Sequence, residues 1–213
     1  RIIRSKDGRI SIYQIVSTSH IIIHFNRDVV NADLFSCEPF DVDKSVKVLT
    51  DKLGDNAIIQ YCQRNLLKEP PEVSSIPMVE MNRLTSNPKT FTHALINWYG
   101  GNERLLGDIE HGTHILNYAL QYLNEDEEGL PPSNVLLVDV EPIPSSWDLG
   151  GFSGGYINLS RQLTMHTFAG INGAYTDIMG YTFNLEKIIK IIKEGFKFKF
   201  YEVDGIFQRL IAF

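Results

Sequence analysis

At 213 residues the chain is larger than a small domain, which leaves open one large domain or two small ones. Hydrophobic residues at 43% and charged residues at 22% exclude a disordered or fibrous chain. A formal charge of −6 argues against nucleic acid or an anionic membrane as partner, since both need clustered Lys and Arg. No run approaches the ~18 apolar residues of a membrane span, and no signal peptide is visible. The two cysteines, Cys37 and Cys62, are too few for a disulfide framework and suit a reducing, cytoplasmic setting. Because the chain starts at Arg1 rather than Met, the natural N-terminus is expected further upstream.

In chain order, Ser19-His20-Ile21-Ile22-Ile23-His24 reads as a β-strand, and a second strand follows at residues 31–37, ending in Cys37. The run from Phe40 to Leu49 has apolar residues at helical spacing behind Asp41 at the N-cap position. Residues 65–92 hold Pro70, Pro71, Pro77 and Pro88 among polar residues and read as a connector. A strand is expected over residues 93–99. Leu105, Leu106, Ile109, Leu116, Ala119, Leu120 and Leu123 then form a helical stripe for core packing, and residues 135–140 make a near-continuous apolar strand. Within the stripe, His111 and His114 lack a third ligand nearby, so they are read as solvated helix positions and no metal is expected. Glu125-Asp126-Glu127-Glu128 reads as an exposed loop. The glycine-rich run from Gly150 to Gly155 lacks the lysine and following helix of a phosphate cradle. A strand at Arg161-Gln162-Leu163-Thr164-Met165-His166, a hairpin around Gly170 to Gly173, a strand over residues 174–181 and a helix behind Asn184 complete the chain.

These elements repeat. His24 and His166 are 142 residues apart, Asp33 and Asp177 are 144 apart, and Phe40 and Phe183 are 143 apart. So constant an offset through three elements points to two related units, at residues 1–64 and 93–213, joined by the connector at 65–92. The first half shows no counterpart of the strand–helix–strand prelude at 93–140, which was either lost or lies before Arg1. The fold class expected is α+β: an αββα-type sandwich whose antiparallel sheets are covered by helices.

At Ser19-His20-Ile21-Ile22-Ile23-His24 and Asp33-Leu34-Phe35-Ser36-Cys37 the sequence resembles the pyruvoyl-dependent S-adenosylmethionine decarboxylases. In that family one strand carries Glu-Ser-His-x-x-x-His and the next ends Asp-x-Phe-x-Cys. The resemblance covers most of both halves and is to the fused, two-unit form. It implies one composite site. Ser19, His24 and Cys37 come from the first unit, whereas Ser153 and His166, 13 residues apart, come from the second. Arg161 and Tyr181 stand where a second serine and cysteine would be, which excludes a second site.

The resemblance also implies the chemistry. Ser19 Oγ attacks the carbonyl of Thr18, His166 removes the α-proton, and the chain is cut to leave a pyruvoyl cofactor, while Ser153 bonds the tetrahedral intermediate. That ketone forms a Schiff base with S-adenosylmethionine and receives the electrons freed by loss of CO₂. Cys37 returns a proton, and Trp147 stacks on adenine. Three positions depart from the family pattern. Thr18 replaces a site glutamate and is expected to slow or stop self-cleavage. Gly170 replaces a ribose-binding glutamate, a loss of about 1–3 kcal/mol. A first-unit N-terminal strand carrying another aromatic and an acid is missing from the chain. Two alternatives follow: an inactive partner of an active paralogue, or a pyruvoyl decarboxylase of arginine or ornithine. Pairing within one chain, as a homodimer or as a heteromer, and activation by a polyamine are left open.

Overall fold

The computed structural model describes residues 2–4, 8–16, 19–26, 29–36, 40–53, 90–123, 136–140, 150–158, 161–180 and 183–210. Strands β1 (Ile2–Arg4), β2 (Ile10–Val16), β3 (Ser19–Asn26) and β4 (Val29–Phe35) form a four-stranded antiparallel sheet in chain order. Their β-branched and aromatic content favours the pleated conformation. Alternation along β3 buries His20, Ile22 and His24 on one face and leaves Ile21 39% exposed on the other. Helix α1 (Val42–Leu53) begins where Asp41 Oδ1 accepts the Lys44 amide at 2.9 Å. None of its residues is buried.

The second sheet has six strands in the order β10-β5-β9-β8-β7-β6, every neighbouring pair antiparallel. They are β5 (Thr90–Tyr99), β6 (Leu136–Val140), β7 (Gly151–Asn158), β8 (Arg161–Phe168), β9 (Gly173–Gly180) and β10 (Phe200–Leu210). Helices α2 (Glu103–Leu106), α3 (Ile109–Leu120) and α4 (Leu185–Phe196) cover one face. There Leu116, Ile188, Ile192 and Phe196 pack on Ala94, Ile96, Trp98, Leu163, Met165 and Ile178 in one continuous core. The last helix starts where expected, with Asn184 Oδ1 accepting the Lys187 amide, whereas the single stripe expected from Leu105 to Leu123 is divided into α2 and α3, the latter beginning where Asp108 Oδ1 accepts the His111 amide.

The opposite face of the six-stranded sheet meets the four-stranded one. Tyr13 and Ile22 from the first pack against Ile157 from the second. Parity along β8 explains the division. Leu163 and Met165 point to the helices, whereas Gln162, Thr164 and His166 point between the sheets, so a strand buried on both faces carries apolar residues on one and polar residues on the other. An α+β sandwich is therefore the architecture.

The two sheets share a strand register. Ser11 opposes His24 and Asn31 opposes His24 from the other side, just as Ser153 and Tyr175 flank His166. His20 opposes Phe35 as Gln162 opposes Met179. β1 pairs antiparallel with β2, and β6 pairs antiparallel with β7. β10 and the first three residues of β5 lie outside the strands expected from the sequence, the latter falling within the expected connector. The glycine-rich run is a strand inside the sheet. A Cβ on Gly151, at φ 131, would come within 2.5 Å of the Thr167 carbonyl oxygen, and one on Gly155 would meet the Leu163 carbonyl. Glycine here permits close strand approach. The hairpin between β8 and β9 is closed by a 3-10 turn at Ala169–Ile171, which places Gly170 at an exposed tip.

Candidate functional site

Where the sheets meet, a line of polar side chains crosses from one to the other. Ser153 Oγ lies 3.0 Å from His166 Nδ1, as its ladder position opposite His166 allows. His166 Nε2 lies 2.7 Å from Nδ1 of His20 on β3. His20 Nε2 is 3.3 Å from Asp33 Oδ2 on β4, and Gln162 Nε2 donates to that same oxygen at 2.7 Å. Ser153, His166, His20 and Gln162 are fully buried, while Asp33 is 17% exposed. Each contact holds one proton, and the histidine tautomers set its direction. With Asp33 ionised and accepting from His20 Nε2–H, His20 Nδ1 accepts from His166, and His166 Nδ1 accepts from the Ser153 hydroxyl.

Aromatic rings hold the imidazoles in place. Phe35 stacks on His166 at 4.5 Å and on His20 at 5.5 Å between ring centroids. Tyr175 meets Phe35 edge-on, and Tyr13 meets His20 edge-on. Burial, and then the Asp177 carboxylate, pushes the Tyr13 hydroxyl well above its ordinary range, so Tyr13 stays protonated.

A second carboxylate completes the group. Asp177 Oδ2 on β9 lies 3.9 Å from His20 Nε2, and His93 Nε2 on β5 lies 3.8 Å from Asp33 Oδ2. One ligand atom each from His20, Asp33 and Asp177 falls within 4.8 Å of the others, a spacing that could hold a metal ion.

Of the residues expected from the sequence, Ser153 and His166 come together directly. Ser19 opens β3 opposite Val16, is half-buried, and bonds Ser36 Oγ at 3.3 Å. It precedes His20, the residue bonded to His166. His24 stands apart from that line in a pair of its own, with Ser11 Oγ 2.7 Å from its Nδ1. Thr18, Cys37 and Trp147 lie outside the described residues, as does the Glu125-Asp126-Glu127-Glu128 loop. His111 is not a solvated position. Its Nε2 lies 2.9 Å from the Gly195 carbonyl oxygen and its ring meets Phe196 edge-on, because the α3 turn that carries it packs on α4. His114 is exposed, as expected.

Sequence reasoning missed His20, Asp33, Asp177, Gln162 and His93 as a group. Two signals were present: the Asp33 and Asp177 offset, and the 13-residue spacing of Ser11 to His24 that repeats in Ser153 to His166. No family model matches this chain, and no curated protein matches it significantly.

Proposed function

We propose that this protein is a two-unit, pyruvoyl-dependent decarboxylase of S-adenosylmethionine that cuts itself between Thr18 and Ser19 and serves spermidine synthesis in the cytoplasm. The observation that carries this reading is the buried Ser153–His166 pair, bonded through His20 to the segment that begins with Ser19. The matching register of β2–β4 and β7–β9 supports two units of common origin, and the bond between His20 and His166 joins the second unit's pair to the first unit's strand.

The position of Ser19 fits a self-generated cofactor. Ser19 and Val16 are the last ladder pair of the β2–β3 hairpin, so a cut before Ser19 leaves all of the β3 ladder pairs in place. Ser19 Oγ attacks the Thr18 carbonyl to give an ester. His166 takes the Ser19 α-proton, and elimination releases the upstream piece with Thr18 as its carboxylate. Water then displaces ammonia from the remaining residue to leave the ketone. Ser153, fixed by His166, hydrogen-bonds the oxygen that gains charge during the attack. The pyruvoyl group, once made, supplies an electron sink for the pair left by departing CO₂. Around it, Cys37 returns the proton and Trp147 stacks on adenine. The aromatic enclosure of His20 and His166 keeps bulk water away from these steps.

Intact-mass spectrometry of freshly purified protein tests the reading. Two pieces divided at Thr18–Ser19, the larger with a blocked N-terminus, are expected, with a single piece in Ser19→Ala and slowed division in His166→Ala. CO₂ should then be released from carboxyl-labelled S-adenosylmethionine. An uncut chain that releases no CO₂ would overturn the proposal in favour of an inactive partner, and CO₂ released only from arginine or ornithine would reassign the substrate.

A further inference from the structure

We infer that His20, Asp33 and Asp177 form a binding site for one divalent first-row cation, zinc, manganese or iron(II), that ties the two sheets together. This inference does not rest on the decarboxylase reading.

Three features of the cluster carry it. The first is spacing. Ligand atoms held about 2.0–2.2 Å from a common ion stand roughly 3–4 Å from one another. His20 Nε2 is 3.3 Å from Asp33 Oδ2 and 3.9 Å from Asp177 Oδ2, and all three ligand atoms lie within 4.8 Å of one another, so two of the three separations already match. The second is charge. Asp177 is 2% exposed and Asp33 17%, and they face fully buried imidazoles. Two largely buried carboxylates within reach of one imidazole nitrogen gather the negative charge that a divalent ion prefers. The third is Gln162. Its Nε2 fixes Asp33, while its buried Oε1 has no hydrogen-bond partner among the described residues. The Oγ1 of Thr164, the ladder partner of Asp177, is likewise buried without one. Gln162 bonds a ligand carboxylate and Thr164 stands opposite Asp177 in the ladder, so these oxygens are available as outer contacts to a bound ion or its water.

The donor set also selects the ion. One imidazole and two carboxylates suit zinc, manganese or iron(II) better than magnesium or calcium, which prefer oxygen alone, or copper(I), which prefers sulfur. The ligands come from β3 and β4 of one sheet and β9 of the other, so an ion closes a loop of some 140 residues across the interface. It also fixes proton order. A metal on His20 Nε2 leaves the hydrogen on Nδ1, which donates to His166 Nε2. The His166 hydrogen is then on Nδ1 and Ser153 Oγ becomes its acceptor, freeing the serine hydroxyl to donate elsewhere.

The test uses the full chain, stripped with a chelator and then titrated with zinc and, separately, cobalt(II) as a coloured stand-in. One equivalent per chain is expected, with a cobalt d–d spectrum of mixed nitrogen and oxygen ligands and a metal-dependent rise in melting temperature. Asp177→Asn keeps the shape and removes a ligand charge. It should weaken binding by at least about 100-fold, the upper end of what losing an outer-shell partner costs, whereas Asp51→Asn on the surface should change nothing. If Asp177→Asn does not fold, the wild-type cobalt spectrum decides alone. Absence of stoichiometric binding by folded wild type, a sulfur-to-cobalt charge-transfer band, or unchanged affinity in Asp177→Asn would each overturn the inference. None of these readouts depends on chain cleavage or on CO₂ release.

Discussion

Thr167 is the neighbour of His166 on the helix side of β8, and its hydroxyl joins three elements. Oγ1 accepts the Phe152 amide at 2.7 Å and donates to the Leu106 carbonyl at 2.8 Å, so β7, β8 and α2 meet at one fully buried atom. Thr167→Val keeps the shape and deletes that atom. It leaves a buried donor and a buried acceptor, each worth about 1–3 kcal/mol when unsatisfied. The added methyl returns about 0.8 kcal/mol. The net loss is about 3 kcal/mol, which for a chain of this size corresponds to a fall of roughly 6–12 °C in melting temperature. Thr167→Ser retains the hydroxyl and should lose only about 1 kcal/mol, one methyl group's share. Urea unfolding followed by circular dichroism measures both. If Thr167→Val unfolds within about 0.5 kcal/mol of wild type, below the smallest single-group penalty, the hydroxyl does not hold the strand pair that carries Ser153 and His166, and the reasoning is wrong.

Two further predictions concern packing and pH. In α4, a Cβ at Gly195 would stand 2.8 to 2.9 Å from three side-chain carbons of Ile115. Gly195→Ala should therefore destabilise by about 1 kcal/mol, since overpacking at about 1–3 kcal/mol outweighs the helix-propensity gain of about 1. In an Ile115→Ala background the same change should stabilise, and equal effects in both backgrounds would refute the contact. Tyr99 is raised above its ordinary range by burial and then by Glu202, and Tyr13 by burial and then by Asp177. A raised folded value means that their contribution to stability is fully present below about pH 10, the unfolded value, and is lost as pH rises towards the folded ones. Tyrosinate absorbance should show these two residues titrating only as the protein unfolds in alkali, and complete titration of a still-folded protein near pH 10 would contradict this. Self-cleavage and metal binding, with the tests given above, complete the set.

Much of the local structure was legible because it depends on short-range chemistry. Asp41 and Asn184 mark helix starts, since a side-chain oxygen one residue before the first turn satisfies an otherwise orphaned amide. The strand around His20 follows from a β-branched run, and the repeated spacing marked β3 and β4 alongside β8 and β9 before any register was known. The 13-residue spacing of Ser153 and His166 was legible only through the family resemblance, and their facing positions follow from the pairing of Asn158 with Arg161 at the end of the β7–β8 ladder.

Other features depended on contacts between residues far apart in the chain. β7 was obscured by its glycines, which signal a loop locally but are needed where neighbouring backbone leaves no room for a Cβ. β10 and β1 are strands because β5 and β2 offer them free edges. His111 looked like a surface residue until α4 was placed beside it. The buried group was the least visible of all. His20, Asp33, Gln162, His93 and Asp177 come from five strands of two sheets, and no local pattern specifies that their side chains share one dry interface. The sequence by itself determined the helix starts at Asp41 and Asn184 and the strands at β3, β4, β5, β6, β8 and β9, since those are set by near-neighbour chemistry. Only the tertiary structure decided that one sheet turns its polar face to the other, because the identity of a partner across an interface depends on packing rather than on the order of residues along either strand.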